Sequence, residues 1–136
     1  MGCDIHIVLE TRRTGATEWI GQWCSDSLPG LPGRPQVARR NYDFFAEIAA
    51  VRGVTDKTVY PRNLPVDVSR LAWTAYMRAP TDHHSPSHMS IGDFVAAWLR
   101  TNPVPGDVRP DFAAWDLLKI DPDTDDEHRV VFWFDN

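Results

Sequence analysis

The sequence has few cysteines, no long apolar run and no excess of positive charge. Its 136 residues include two cysteines, too few for a disulfide scaffold or a four-thiolate zinc site. No apolar run approaches the roughly 18 residues of a membrane-spanning helix, and the opening MGCDIHIVLE lacks the basic segment of a secretion signal. These absences predict one cytosolic domain, residues 1–136, that is stabilised by its own core.

Acidic residues outnumber basic ones, 19 against 14, which gives a net charge of −5 and a pI of about 5.4. Non-specific nucleic-acid binding depends on a basic face that neutralises phosphates, and the arginines here are scattered along the chain. We therefore expect neither that activity nor a membrane partner. A small anionic ligand or a host protein remains compatible with the charge.

The two ends of the chain have the patterns of strands. Residues 3–10 alternate between apolar and polar, which predicts a strand. Residues 18–24 predict a partner strand after a Gly-containing turn. The two strands form a predicted hairpin that brings Cys24 near Cys3. Near the end, RVVFWFD over 129–135 is apolar on both faces, as a central strand is. Residues 25–38 are rich in Pro and Gly and predict a loop.

The middle of the chain has helical periodicity. Asn41 is a candidate N-cap for a helix over 42–52, and Asp67 for a second helix that stops at Pro80. Ser90 with Asp93 resembles a capping box at the start of a third helix.

Other segments complete the predicted architecture. Residues 109–120 predict a short helix, whereas 81–90 and the acidic run 121–127 predict loops. The whole order predicts an α+β fold: a small, mainly antiparallel sheet, made from the N-terminal hairpin and the C-terminal strand, with about three helices packed on one face.

Asp4 and His6 form the first candidate site. Period two places both side chains on one face of the first strand, roughly 7 Å apart, so they could converge on one metal or one substrate. The alternative is that they are polar edge residues that pair with each other.

The predicted loop 81–90 carries three histidines within six residues. Imidazoles are common metal ligands and acid–base groups near neutral pH, and the loop leads into a helix N-terminus, whose amides favour anions. A solvated loop with capping residues is the competing interpretation. The candidate side chains are Asp82, His83, His84, Ser85, Ser87 and His88.

Two further positions carry candidate chemistry. The planar fork of Arg40 suits phosphate or carboxylate, and Asn41 and Tyr42 follow it at the predicted helix start, although a cap with a surface ion pair is equally compatible. Cys3 would need a nearby base and a lowered pKa to act as a nucleophile. Its inward position favours a buried apolar role instead.

Five ordered blocks, MGCDIH, RNYDFF, LPVDVS, D-x-H-S-x-S and RVVFWFDN, together resemble an uncharacterised family of small proteins common in bacteriophage and prophage genomes. The resemblance implies an accessory, non-structural role in the cytoplasm of a bacterial host. His83 and His88 lie outside the family pattern, which favours His84. The motif positions are Cys3, Asp4, His6, Arg40, Asn41, Tyr42, Asp82, His84, Ser85, Ser87, Asp135 and Asn136.

These residues predict a hydrolase of a phosphoester or a nucleotide-like substrate. In the metal-dependent form, Zn²⁺ activates water for attack, while Arg40, Asn41, Tyr42, Ser85 and Ser87 bind substrate. In the metal-free form, His84 is the general base and Asp82 orients it. Both the catalytic set and the zinc-ligand set consist of Asp4, His6, Asp82 and His84.

The alternative is a non-catalytic binding protein that inhibits a host or defence protein or sequesters a nucleotide. Its aromatic residues, six Trp, three Tyr and six Phe, would supply anchors for a partner. A structural virion component is a third possibility. The hydrolase hypothesis has one geometric requirement, that the ring nitrogens of His6 and His84 lie within roughly 5 Å, given Zn–N bonds of about 2 Å.

Overall fold

The computed structural model describes residues 2–31, 33, 40–52, 60–101 and 126–135. They form a small α+β fold, as predicted, and among them no helix is long and apolar enough to cross a membrane. In chain order the elements are β1 (Ile5–Arg12), β2 (Ile20–Cys24), α1 (Tyr42–Ala49), α2 (Arg70–Tyr76), β3 (His84–Ser90), α3 (Ile91–Thr101) and β4 (Glu127–Phe134).

The four strands make one antiparallel sheet in the order β2-β1-β4-β3. The last strand in the chain, β4, therefore lies between β1 and β3, and the prediction of a central strand is confirmed. Its side chains Phe132 and Trp133 are both fully buried, although they point to opposite faces. This explains why the strand carries no polar alternation.

Strand β3 corrects the prediction of a loop over 81–90. The segment is polar and contains Pro86, but it pairs with the side of β4 that β1 leaves open. The pairing is made by backbone groups, so polar side chains do not prevent it. The pairing shifts register between His84 and Ser87, around the proline. Proline and polar residues are typical of an edge strand, whose outer side faces no other strand.

Helices cover both faces of the sheet, so the prediction that they lie on one face is wrong. α1 and α3 pack on one face against residues such as Ile7 and Phe132. α2 packs on the other face against Val8, Val131 and Trp133. Because β1 and β4 present apolar side chains on both sides, each face needs its own cover to exclude water.

Helix boundaries depend on caps that the sequence identified only in part. The Asn41 side chain accepts a hydrogen bond from the Phe44 amide at 3.1 Å, which confirms that cap. α2 is capped by Ser69 rather than Asp67, because Asp67 instead accepts hydrogen bonds from Trp19 and Arg129. The predicted helix over 109–120 lies outside the described residues, as do residues 121–125 of the acidic loop.

The hairpin does not bring the two cysteines together. Cys24 lies opposite Val8, in the core under α2, whereas Cys3 lies in the core under α1 and α3. Both thiols are free and buried.

Gly21 on β2 permits the close approach of α2. A Cβ at this position would lie 2.5 Å from Cβ of Leu71, so Gly21→Ala would push the helix away from the sheet. We expect a loss of about 1–3 kcal/mol in the free energy of unfolding, measured by urea denaturation. Gly92→Ala is the control, because a Cβ on Gly92 in α3 meets nothing within 4 Å and alanine is the better helix former. Equal stability of the two variants would contradict the packing argument.

Candidate functional site

His6 lies between two carboxylates at one end of the sheet. Its Nδ1 is 2.6 Å from Oδ1 of Asp26, and its Nε2 is 2.7 Å from Oδ2 of Asp135. The His6 side chain is only 15% exposed, and its ring stacks at 6° on Trp133, with the centroids 6.0 Å apart. Because carboxylate oxygens of ionised Asp only accept, both ring nitrogens donate when His6 is an imidazolium. We call Asp26, His6 and Asp135 the histidine clamp.

Three different chain segments supply the histidine clamp. Strand alternation points His6 to the α2 face, and Asp26 lies two residues after the end of β2. Asp135 follows β4, where its amide donates to the Asp4 carbonyl at 3.1 Å and its Oδ1 accepts from the Asp4 amide at 3.0 Å. The clamp therefore fixes β1, the loop after β2 and the end of β4 relative to one another.

The two carboxylates favour the protonated form of His6. Burial alone lowers the pKa of this imidazole, but the hydrogen bonds and negative charges of Asp26 and Asp135 raise it by more, so the pKa lies above its ordinary value. When His6 is protonated, the clamp places a partly buried cation between two anions. A protonated imidazole of this kind can donate a proton or stabilise negative charge on a bound group.

His83 is the second histidine of the site. Its ring centroid lies 4.9 Å from that of His6 and 5.7 Å from that of Trp133. Its Nδ1 donates to the carbonyl of Tyr76 at 2.8 Å, since a carbonyl can only accept. When His83 is neutral, its Nε2 therefore carries a lone pair that can accept a proton or bind a ligand.

Asp4 and Arg40 form an ion pair beside the clamp. Arg40 Nε lies 2.8 Å from Asp4 Oδ1, and Arg40 Nη2 lies 3.3 Å from Oδ2. The guanidinium lowers the pKa of the Asp4 carboxyl. Arg40 is thus partnered internally, and the predicted roles of its neighbours also change: Asn41 caps α1, and the Tyr42 hydroxyl accepts from the Cys3 amide at 3.4 Å.

His84 lies away from His6, contrary to the prediction that they share a cavity. His6 pairs with Trp133 and His84 with Phe134, and consecutive residues of β4 point to opposite faces. His84 stacks on Phe134, and its Nδ1 shares a hydrogen bond of 3.0 Å with the Ser85 hydroxyl. The sequence of a polar segment does not determine its register against a neighbouring strand. Only the pairing of β3 with β4 therefore reveals which histidine faces His6.

Two other predicted residues, Ser87 and Asp82, have different environments. Ser87 is buried, and its hydroxyl accepts a hydrogen bond from the Arg62 amide at 3.0 Å. Asp82 is exposed in the turn before β3. The side chains of the predicted substrate-binding set thus all have hydrogen-bond partners within the protein.

Zinc binding stays a prediction from the sequence. Within the described ranges, no group of three or more His, Cys, Asp or Glu side chains is arranged to hold one metal ion. Asp4, His6, Asp82 and His84 thus do not form a ligand set there.

The cysteines have the environment of inert thiols. Burial raises the pKa of Cys24 to about 11, and burial also raises the pKa of Cys3. A nucleophilic cysteine needs a lowered pKa, so the interpretation of Cys3 as a buried apolar residue fits its place in the core.

The sequence patterns missed one member of the site, Asp26, and favoured His84 over another, His83. Asp26 lies in a Pro/Gly-rich loop with nothing in its sequence to distinguish it from Asp43 or Asp67. His83 was ranked below His84. Asp26 and Asp135 both lie within two residues of the end of a strand that pairs with β1, and that pairing is visible only in the fold.

Most of the described tryptophans serve the core. Trp19, Trp23, Trp98 and Trp133 are buried, whereas Trp73 is 51% exposed. The aromatic content therefore stabilises the fold more than it supplies anchors for a partner.

Comparisons with protein-family models, with curated proteins and with solved structures found no match.

Proposed function

We propose that this chain is a histidine-assisted hydrolase of phosphodiester or related nucleotide-like substrates, with His6 and His83 as its acid–base pair. The observation that supports this most directly is the contact of a histidine held between two carboxylates with a second histidine whose Nδ1 donates to a backbone carbonyl. Perturbed titratable groups that lie together are typical of active sites.

The two histidines have complementary roles. His83 Nε2 accepts a proton from the attacking water, whose oxygen forms a bond to phosphorus while the bond to the leaving oxygen breaks. The His6 imidazolium donates a hydrogen bond to the phosphoryl oxygen as its charge grows. Asp26 orients the His6 ring through Nδ1. Asp135 yields its place on Nε2 to the substrate but remains bound to the Asp4 amide.

The charges of the site restrict the substrate. Asp4, Asp26 and Asp135 contribute three negative charges near two cations, Arg40 and the protonated His6. A phosphomonoester dianion is repelled by this balance more strongly than a phosphodiester with its single charge. We therefore favour the diester.

The test is hydrolysis of bis(4-nitrophenyl) phosphate, with 4-nitrophenyl phosphate as the monoester comparison. We expect cleavage of the diester in the presence of a chelator. His83→Asn keeps a donor for the Tyr76 carbonyl but removes Nε2, and should lower kcat by about 100-fold. His84→Asn is the matched control, because His84 points to the other face, and should leave the rate unchanged.

A diester rate equal to that of buffer would overturn the proposal. So would a loss of activity in His84→Asn that His83→Asn does not share. Thermal denaturation of each variant separates a lost base from a lost fold. Loss of all activity with the chelator would instead support the zinc-dependent form of the hydrolase.

A second candidate, a binding protein that blocks a host or defence protein, is favoured by one observation. A largely apolar cavity of about 520 Å³ lies between β2 and α2, away from the clamp. For either function, the resemblance to phage and prophage proteins supports the cytoplasm of a bacterial host as the place of action.

A further inference from the structure

The cavity between β2 and α2 has the size and walls of a binding site. Its volume of about 520 Å³ lies within the range of about 300–1,000 Å³ of typical ligand pockets. Its walls are mostly apolar, with a few polar groups at the rim. The lining residues used below are Ile20, Gly21, Arg70, Leu71 and Thr74.

One wall of this cavity is an open sheet edge. β2 is the first strand in the order β2-β1-β4-β3, so in the described sheet its outer backbone groups have no partner strand. Such an edge can pair with an extended segment of another chain. Ile20, at the start of β2, is 52% exposed on it. We call the edge and the cavity together the β2–α2 groove.

Strand register connects the edge to the cavity. Gly21 pairs with Glu10, whose side chain points to the α2 face and accepts a hydrogen bond from the Ser69 amide. Residues that pair across a sheet point to the same face. A residue of an added strand that pairs with Gly21 would therefore point toward α2, beside Leu71, and enter the cavity.

The charges at the rim indicate which segment fits. Arg70 is exposed and forms no ion pair with any residue in the described ranges. It can therefore bind a carboxylate from outside. An added strand would complement the cavity with an apolar residue opposite Gly21, and it would complement the guanidinium with an acidic residue near Arg70.

We propose that the β2–α2 groove binds an extended, mainly apolar segment of a partner protein, which adds a strand to β2 and places a carboxylate on Arg70. Main-chain hydrogen bonds give affinity in this mode of recognition, and the pocket for alternate side chains gives specificity. The inference names the partner chemistry of the second candidate function. It does not depend on hydrolysis, since the groove and the histidine clamp use different residues.

The experiment starts from a displayed library of random dodecapeptides selected on the full chain. Enriched peptides are synthesised, and their binding is measured by fluorescence anisotropy. We expect alternating apolar residues with one acidic residue. Arg70→Glu and the cavity-filling Thr74→Trp should each weaken binding by about tenfold or more. Arg78→Glu, the same charge change at an exposed position outside the lining, should not.

Methylation of alternate backbone nitrogens in the peptide tests strand addition directly. We expect one set of alternate positions to abolish binding and the other set to have little effect, because only one set faces β2. The absence of any enriched peptide, insensitivity to both groove variants, or insensitivity to methylation would overturn the proposal. So would self-association of the chain through β2 in a mass measurement at increasing concentration, or saturation of the groove by decanoate with no peptide binding.

Discussion

Replacement of Arg129 by methionine is expected to lower the free energy of unfolding by about 3–5 kcal/mol. Arg129 Nε lies 2.5 Å from Oε1 of Glu10, a carboxylate with no exposed area. Without the guanidinium, this buried charge keeps only the hydrogen bond from the Ser69 amide at 2.6 Å. A buried charge without its partner is among the most destabilising changes in a protein.

Arg129 also connects the segment before α2 to the sheet, which adds to the expected loss. Its Nη1 donates to Asp67 at 2.9 Å, and its guanidinium lies 4.0 Å from the centre of the Trp19 ring. The Arg129 contact lowers the pKa of Asp67. Methionine retains the apolar stem but none of these polar contacts.

Urea denaturation measures this effect, with Arg100→Met as the matched control. Arg100 pairs with Glu47 at 2.8 Å but is 56% exposed, and an exposed pair contributes about 0–1 kcal/mol. Addition of Glu10→Gln to Arg129→Met should recover part of the loss, because it removes the buried charge. A loss no larger than that of Arg100→Met would mean that Glu10 gains its stability from another partner.

Replacement of His6 by phenylalanine is expected to cost about 3 kcal/mol near pH 6, the lower end of the range for a broken buried ion pair. Phenylalanine keeps a ring against Trp133 but leaves Asp26 and Asp135 without their shared donor. The lower end applies because the two Asp side chains are 23% and 27% exposed.

The stability difference between wild type and this variant should depend on pH. Because the folded-state pKa of His6 is raised, its contribution is complete below the pKa of an unfolded histidine, about 6.5. It decreases as the pH rises through the folded-state pKa, since a neutral imidazole has one N–H for two carboxylates. Urea denaturation between about pH 6 and pH 9 measures the change.

His88→Phe is the control for this measurement. The His88 ring contacts the Asn63 carbonyl rather than a carboxylate, so the pH dependence that arises from the clamp should be absent from this variant. A constant difference for His6→Phe across the range would contradict a protonated clamp and would remove the acid from the proposed hydrolase.

Short-range patterns predicted the elements whose cause is local. The alternation of β1, the two apolar faces of β4, the Asn41 cap and the Ser90–Asp93 contact all depend on residues close in sequence. The prediction that Asp4 and His6 share one face rests on strand period, which is also local.

The site itself depended on partners that are distant in the chain. His6 meets Asp26 and Asp135, which lie 20 and 129 residues away, and nothing in the sequence near these aspartates distinguishes them from other loop carboxylates. His83 rather than His84 faces His6 because β3 pairs with the open side of β4 in one register. A register shift of one residue exchanges the two faces of a strand.

The sequence alone established the elements other than β3, the caps at Asn41 and Ser90, and the need of β1 and β4 for apolar cover, since each follows from a pattern within one segment. The tertiary structure alone settled which face each helix covers and which carboxylates hold His6. Those outcomes arise from backbone pairing between remote strands, and backbone groups are the same in every sequence.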